Sequence, residues 1–458
     1  MTTTPSRPTT SAPASVPSQD GSGSTTRAAG RVGPLVGSAA AEARAHLVEV
    51  LDARQQGRSL PGAAYTDADL HELDLALLWQ RQWIFVGTVA EVPEPGDYVT
   101  VELGTASVLV LRDDDEEVRA FRNVCRHRGA RLVEEPKGSV GNIVCGYHRW
   151  TYATDGRLIH APQLAPVEDG GVDPACLSLR TVHLREVAGL LFVCLAPEPP
   201  DDLDTLSRTV APYLAPHALG RTKVAAQVDL VEAGNWKLTM ENNRECYHCE
   251  GHADLVCTFF PTWGLADHEV PPRLRAAHDR YLLAEEGLHL ACEERGMPYA
   301  PVEDLVEPPL GFRIQREALD GHGESFSRDG SRLVQRLLGE LDEARLGRLT
   351  LHAQPNLWCH AMADHVVTFA VLPLGVDRTL VRTTWLVHED AVEGVDYDVD
   401  SLTEVWRHTN EEDAAFVGLT QAGVADPAYE PGPYSVAERQ VDDFVSWYVA
   451  RMREEVSR

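Results

Sequence analysis

Cys125-Arg126-His127 is followed, after seventeen intervening residues, by Cys145-Gly146-Tyr147-His148. Each segment offers one thiolate and one imidazole. Two Cys with two His form the ligand set in which imidazoles replace thiolates on one iron of a [2Fe–2S] cluster, and neutral ligands raise its reduction potential. The same four groups could hold a structural zinc. Zinc fingers, however, pair Cys with Cys and His with His, whereas each segment here supplies one of each. Gly129 and Gly146 permit close backbone approach. Tyr147, Trp150 and Tyr152 stand where they can shield sulfur or hydrogen-bond to it. The pattern favours a one-electron centre over zinc.

A second constellation runs Asn242-Asn243-Arg244-Glu245-Cys246-Tyr247-His248-Cys249-Glu250-Gly251-His252. Helical spacing predicts Glu245, His248 and His252 on one stripe. Two His and one carboxylate are the set that holds O2-activating iron with open coordination positions. Asp413 is the candidate carboxylate. On a helix through its segment it shares a face with Trp406, Thr409, Phe416, Val417 and Thr420, and an acid on an apolar stripe needs a partner that a metal supplies. Glu411 falls instead beside Arg407, as a solvated pair would. Taken alone, such an acid is more often an N-cap or a salt-bridge member; beside two His at helical spacing it reads as a ligand. Cys246 and Cys249 make a C-x-x-C, but no thioredoxin-like βαβ unit surrounds them, so packing residues are expected rather than a redox disulfide. His360 and His365 read as structural or pocket-lining.

The rest of the chain is organised around these sites. Residues 1–40, rich in Ser, Thr, Pro, Ala and Gly, read as a disordered tail. Residues 41–200 begin with helical spacing over 39–56 and after Thr66-Asp67. They continue as short strands (WIFVGTV, YVTVEL, SVLVLR, VRAFRNV) bounded by PEPGD and DDDEE. Pro197 to Asp202 reads as a linker. Residues 201–458 mix strands (KVAAQVDLVEAG, HVVTFAVLPL, LVRTTWLVHE) with helices expected in the 230s–250s and over 332–344, 400–421 and 436–453. The predicted class is α+β, with an antiparallel sheet wrapping a long C-terminal helix.

Residues 121–156, with CRHRGA, CGYHRWTY and the DG that follows, resemble the Rieske domain of Rieske-type non-haem iron oxygenases. Gly146 stands where Pro is common. Asn242, Glu245, His248, His252 and Asp413 fall on that family's iron-site pattern, with His252 one residue nearer to His248 than is usual. ENNRECYHC, TNEED and GPYSVAERQVDDFVSWY resemble more narrowly the oxygenase components that demethylate glycine betaine, whose relatives act on choline, stachydrine and carnitine. The resemblance implies a β-sandwich-like [2Fe–2S] domain held by Cys125, His127, Cys145 and His148. It also implies a helix-grip catalytic domain with mononuclear Fe(II) on His248, His252 and Asp413. Glu245, with Asn242 beside it, would bridge the cluster of one subunit to the iron of its neighbour in a homotrimer. O2 would be the co-substrate.

Neither a strand-borne Gly-x-Gly-x-x-Gly nor a plant-type cluster motif is present, so electrons are expected from a separate flavin/iron–sulfur reductase using NAD(P)H. A quaternary ammonium offers no hydrogen-bond donor and is held by aromatic faces. Phe259, Phe260, Trp263, Trp358 and Phe369 flank the iron segments and are the candidates. Lys+Arg number 41 against 70 Asp+Glu, a net charge of −29, which disfavours nucleic acid and anionic membranes as partners. Nine Cys, an odd number without regular spacing, fit a reduced cytoplasmic setting. No apolar run is long enough to span a membrane. Two rival readings stand beside this one: a Rieske oxygenase acting on an arene or an O-methyl group, and a non-catalytic Rieske electron carrier or redox sensor. His248, His252 and Asp413 together argue against the carrier.

Overall fold

The computed structural model describes residues 37–165, 167–249, 258–262, 267–307 and 309–458. His252 and Trp263 therefore lie outside the described residues, as does most of the expected tail. From Leu35 onward the chain packs as one compact unit.

Three helices open it: α1 (Ser38–Ala53), α2 (Ala63–Thr66) and α3 (Ala68–Asp74). Asp67 starts α3 by accepting the N–H groups of Asp69 and Leu70, the expected N-cap chemistry. Leu70, Leu73, Leu77 and Leu78 are buried as their spacing predicts.

The β region that follows is antiparallel. Strands β1 (Ile84–Thr88), β2 (Asp97–Leu103), β3 (Ala106–Arg112), β4 (Val118–Arg122), β5 (Lys137–Ser139), β6 (Ile143–Val144), β7 (Thr151–Tyr152), β8 (Leu158–His160), β9 (His183–Val187) and β10 (Leu190–Cys194) make three small sheets. Their orders are β4-β3-β2-β5, β6-β7-β8 and β1-β10-β9.

After α4 (Leu203–Leu214) comes a seven-stranded antiparallel sheet in the order β11-β17-β16-β15-β14-β13-β12. Its strands are β11 (Thr222–Glu232), β12 (Val302–Asp304), β13 (Phe312–Glu317), β14 (Arg348–Ala353), β15 (Leu357–Ala361), β16 (Val366–Gly375) and β17 (Arg378–His388). Helix α5 (Trp236–Asn243) follows β11, α6 (Arg275–Arg295) precedes β12, and α7 (Val399–Val424) and α8 (Arg439–Ser457) close the chain. The α+β class is as predicted, with the 26-residue α7 lying against β11 and α5. Asn410 on α7 donates to Thr383 Oγ1 on β17 at 2.9 Å, which pins the helix to the sheet.

Three expectations are corrected. The helix predicted through the 250s stops at Asn243, and Arg244 caps it. Glu245, Cys246, Tyr247 and His248 are thus non-helical, because the Glu245 carboxylate takes the N–H of Tyr247 and competes with the helical ladder. The helix predicted over 332–344 is irregular. Its apolar spacing is real, with Val334 and Leu338 buried, but the Leu333 and Val334 N–H groups go to Asp364 Oδ2 and that of Leu338 goes to the Ala363 carbonyl. Helix α6 was not anticipated. Only His278, Leu288 and Cys292 are buried along it, too thin a stripe to be seen in sequence.

No helix among the described residues is long and apolar enough to cross a membrane.

Candidate active site and iron–sulfur centre

The two Cys/His loops are built alike. Cys125 N–H bonds the Ala130 carbonyl at 2.8 Å, and Gly129 N–H returns to the Cys125 carbonyl at 3.0 Å. Cys145 N–H bonds the Trp150 carbonyl at 2.8 Å, and Arg149 N–H returns to the Cys145 carbonyl at 3.0 Å. Both loops turn through a positive φ at the matched position, 77° at Gly129 and 62° at Arg149. That turn is the reason for Gly129. No protein atom lies within 4 Å of a Cβ built on Gly129 or Gly146, so protein crowding explains neither glycine. Gly146 has room for a side chain, and nothing in the structure explains the glycine there.

Cys125 and Cys145 are buried and free, while His127 is exposed. The His127 and His148 rings lie 4.7 Å apart. Trp150 stacks on His127 at 4.8 Å, and the Tyr152 hydroxyl sits 3.4 Å from Cys125 Sγ, as expected of sulfur-side aromatics. Two thiols on the inner side and two imidazoles on the outer side fit a diiron cluster, which takes two ligands per iron. Among the described residues no trio of His, Cys, Asp and Glu side chains converges on one point, whereas a two-iron cluster asks for pairs.

The second site joins the loop after α5 to the middle of α7. Asn235 caps α5 through the Lys237 N–H and ties it to the Val376 carbonyl. A Cβ on Gly234 would lie 2.4 Å from Val417 Cγ1, so only glycine lets α7 come this close to the entry of α5. That approach brings Asp413 Oδ1 within 3.1 Å of His248 Nε2. On the other side of the ring, Nδ1 lies 2.5 Å from Glu245 Oε1. Asn242 Nδ2 lies 3.3 Å from His248 Nε2 and donates to Asp413 Oδ1 at 3.4 Å.

Burial opposes a proton on His248, but its hydrogen bonds to Asp413 and Glu245 outweigh burial and raise its pKa to about 9. A divalent cation on Nε2 would take the place of that proton, with Glu245 holding the other ring nitrogen as carboxylate partners of metal-bound histidines do. His248 and Asp413 are two of the donors that a two-His, one-carboxylate iron site needs; the third candidate, His252, lies outside the described residues. Nearby Glu232 is pushed up to about 7 by burial, with Asp413 adding repulsion.

These groups open on a cavity of about 90 Å3. Its lining includes Asn242, Arg244, Glu245, His248, Phe259, Arg348, His352, His360, Trp406 and Asp413. Trp406 stacks on His360 at 4.8 Å, and the Arg348 guanidinium sits 4.2 Å over Phe259. Of the predicted aromatics, Phe260 faces a different cavity beside α6. Trp358 and Phe369 stack on one another at 4.8 Å in the core, and Phe369 meets the edge of Trp406 from behind. Phe259, as predicted, and Trp406, seven residues before Asp413, are the aromatics that reach the site.

Phe416 is 40% exposed, with its ring edge-on to His248 at 5.8 Å, while its neighbour Val417 is buried. Thr420 is exposed as well. His360 lines the cavity, whereas His365 is buried against Asp364. Cys246 and Cys249, expected as packing residues, are joined as a disulfide that brackets His248. The tight turn in which Cys249 N–H bonds the Cys246 carbonyl brings the pair together. The other described cysteines are free.

Glu245→Gln keeps the side chain's shape but removes the charge that supports the His248 ring. Both metal centres should still load, and turnover should fall about 10–100-fold. Single-turnover kinetics with a pre-reduced cluster check this; a wild-type rate would remove Glu245 from the electron path.

A Rieske [2Fe–2S] domain matches residues 82–175, and the ring-hydroxylating alpha-subunit catalytic domain matches residues 219–454. The chain belongs to the Rieske oxygenase alpha subunits, enzymes that carry a [2Fe–2S] cluster and a mononuclear iron. It is 41% identical to the glycine betaine monooxygenase oxygenase subunit of Chromohalobacter salexigens over 89% of each chain. It is 38% identical to the subunit of the same name from Pseudomonas aeruginosa, over 90% of this chain and 92% of that one. The crystal structure of the quaternary ammonium Rieske monooxygenase CntA with L-carnitine shares the fold. Its TM-score is 0.62 at 18% identity, over 88% of this chain and 98% of that one.

Proposed function

We propose that this chain is the oxygenase component that N-demethylates a quaternary ammonium compound, glycine betaine first among them. The products are dimethylglycine, formaldehyde and one water, which takes the second oxygen atom. One O2 is consumed with two electrons and two protons per methyl group, the electrons coming from a separate NAD(P)H-dependent reductase. As the resemblance implies, it works as a homotrimer.

The observation that carries this reading is the juxtaposition of His248, Glu245 and Asp413 with Trp406 in one small cavity. Identity of 41% and 38% to two glycine betaine monooxygenase subunits supports the substrate. The cluster and iron, when bound, supply the electrons and the O2 activation by which an N-methyl C–H becomes a hydroxymethyl group. This chain's residues do the rest. Glu245 accepts the Nδ1 proton of His248 and fixes the ring, while Asn242 holds the Asp413 carboxylate. Trp406 offers its ring to the trimethylammonium head. The hydroxymethyl ammonium then expels formaldehyde and a proton, leaving a neutral amine whose weaker attraction to aromatic faces favours release.

Glycine betaine added to the loaded protein with reductase and NAD(P)H should raise O2 uptake and release one formaldehyde per O2. Silence on betaine with turnover of stachydrine, carnitine or an arene would redirect the substrate. Inactivity on all of them, with the cluster reducible, would favour an electron carrier.

A further inference from the structure

Arg244 is 2% exposed, yet no carboxylate among the described residues pairs with it. Its Nη1 donates to Asn243 Oδ1 at 2.8 Å, while Nε and Nη2 are buried without a hydrogen-bond partner. A guanidinium is always charged and carries five donors in a rigid fork, and burying one without an anion is costly. The Trp406 Nε1 donor on the same cavity wall is likewise buried without a partner. Arg348, the other guanidinium on this wall, donates to Glu317 Oε2 at 2.8 Å. Orphaned donors thus gather on a wall shared with His248 and Asp413, and buried polar groups left this way call for a bound acceptor.

On the strength of the function proposed above, we infer that Arg244 grips the carboxylate of the substrate and makes the enzyme select zwitterionic betaines over choline. The fork of Arg244 meets the two carboxylate oxygens in a bidentate pair. That contact anchors one end of the molecule and turns its methyl groups toward the space beside His248 and Asp413. Choline has the same trimethylammonium head but a neutral hydroxyl in place of the carboxylate. It would leave the buried guanidinium uncompensated, and sites built to pair a polar group reject analogues lacking it. Short-chain betaines in general belong to the selected class.

The test compares glycine betaine with choline, by calorimetric binding and by kcat/KM for formaldehyde release, in the loaded wild-type protein, Arg244→Gln and Arg244→Lys. Wild type should prefer betaine in both measurements. In Arg244→Gln the betaine-to-choline ratio should fall about a hundredfold, mostly through KM, the scale of a charged hydrogen-bonded pair. Iron content and cluster absorption should match wild type. Arg244→Lys keeps the charge but not the fork and should recover part of the ratio. It also serves as the deciding variant should the glutamine protein lose its cluster spectrum. An undiminished preference for betaine in a folded Arg244 variant overturns the inference and leaves the proposed function standing. A wild-type protein that oxidises no quaternary ammonium compound, betaine, choline, stachydrine and carnitine alike, overturns the function itself.

Discussion

Replacing Asp413 by alanine removes the mononuclear iron and turnover while leaving the cluster's visible absorption at wild-type strength. The two sites are built from separate parts of the chain: the cluster loops lie between β4 and β7, and Asp413 lies midway along α7. Its carboxylate stands 3.1 Å from His248 Nε2, on the side of the ring that Glu245 leaves open. Deleting it takes that carboxylate away and leaves His248, with His252 as the other proposed ligand, to hold the metal. Losing a partner behind a metal ligand costs about 10–100-fold, so losing a ligand should cost more than about a hundredfold in activity. Iron analysis should find the cluster's iron and no other. A variant that keeps the extra iron and turns over would strike Asp413 from the ligand set. Asp413→Glu, which keeps a carboxylate on the same face, should retain part of the metal.

The second large effect concerns stability. Asp74, at the end of α3, is wholly buried and forms an ion pair with the equally buried Lys237. It also accepts hydrogen bonds from Trp236 Nε1 at 3.1 Å and from the Tyr448 hydroxyl at 2.7 Å. The Lys237 ammonium in turn sits 5.0 Å from the Trp236 ring and 5.1 Å from that of Tyr448. One carboxylate thus joins α3, α5 and α8, and α5 leads directly into the iron-site loop. Asp74→Ala strands a buried cation and should lower unfolding stability by about 3–5 kcal/mol. Asp74→Ala with Lys237→Met removes both charges and should regain part of that loss, the rest staying with Trp236 Nε1 and the Tyr448 hydroxyl, which remain buried without their acceptor. Chemical denaturation of the three proteins measures both effects. A loss below about 1 kcal/mol for the single variant would mean that Lys237 finds another partner or water.

Where sequence and structure agree, local chemistry and tertiary demand point the same way. The strands of the cluster domain are short apolar runs, buried along their whole length in β1 and β10, set between turn signals, and Asp67 announces α3 with a side chain that caps it. The Cys125 and Cys145 loops were legible because their ligand types are few and their spacing is short. Where the two disagree, a distant group has taken over the backbone. The 332–344 segment has helical spacing, but Asp364 and Ala363 claim its N–H groups. Glu245 ends α5 early by the same kind of competition. The cavity wall was the least legible part. Phe369, Trp358 and Trp406 are near neighbours, yet only Trp406 reaches the open space, and that distinction depends on which face of a packed stack points outward. Arg244 carried no signal in sequence, since a charge next to Glu245 reads as a salt bridge until the carboxylate is seen turned toward His248.

The loop pair that shuts Cys125 and Cys145 inside leaves His127 at the surface, with Tyr147 58% exposed beside His148. The midpoint of an iron–sulfur centre shifts with water access and local dielectric. Any protein that settles over this rim dries it and thereby resets the driving force for the next transfer. The electron affinity of this subunit then belongs to its momentary complex, one value when the rim is wet and another when it is covered.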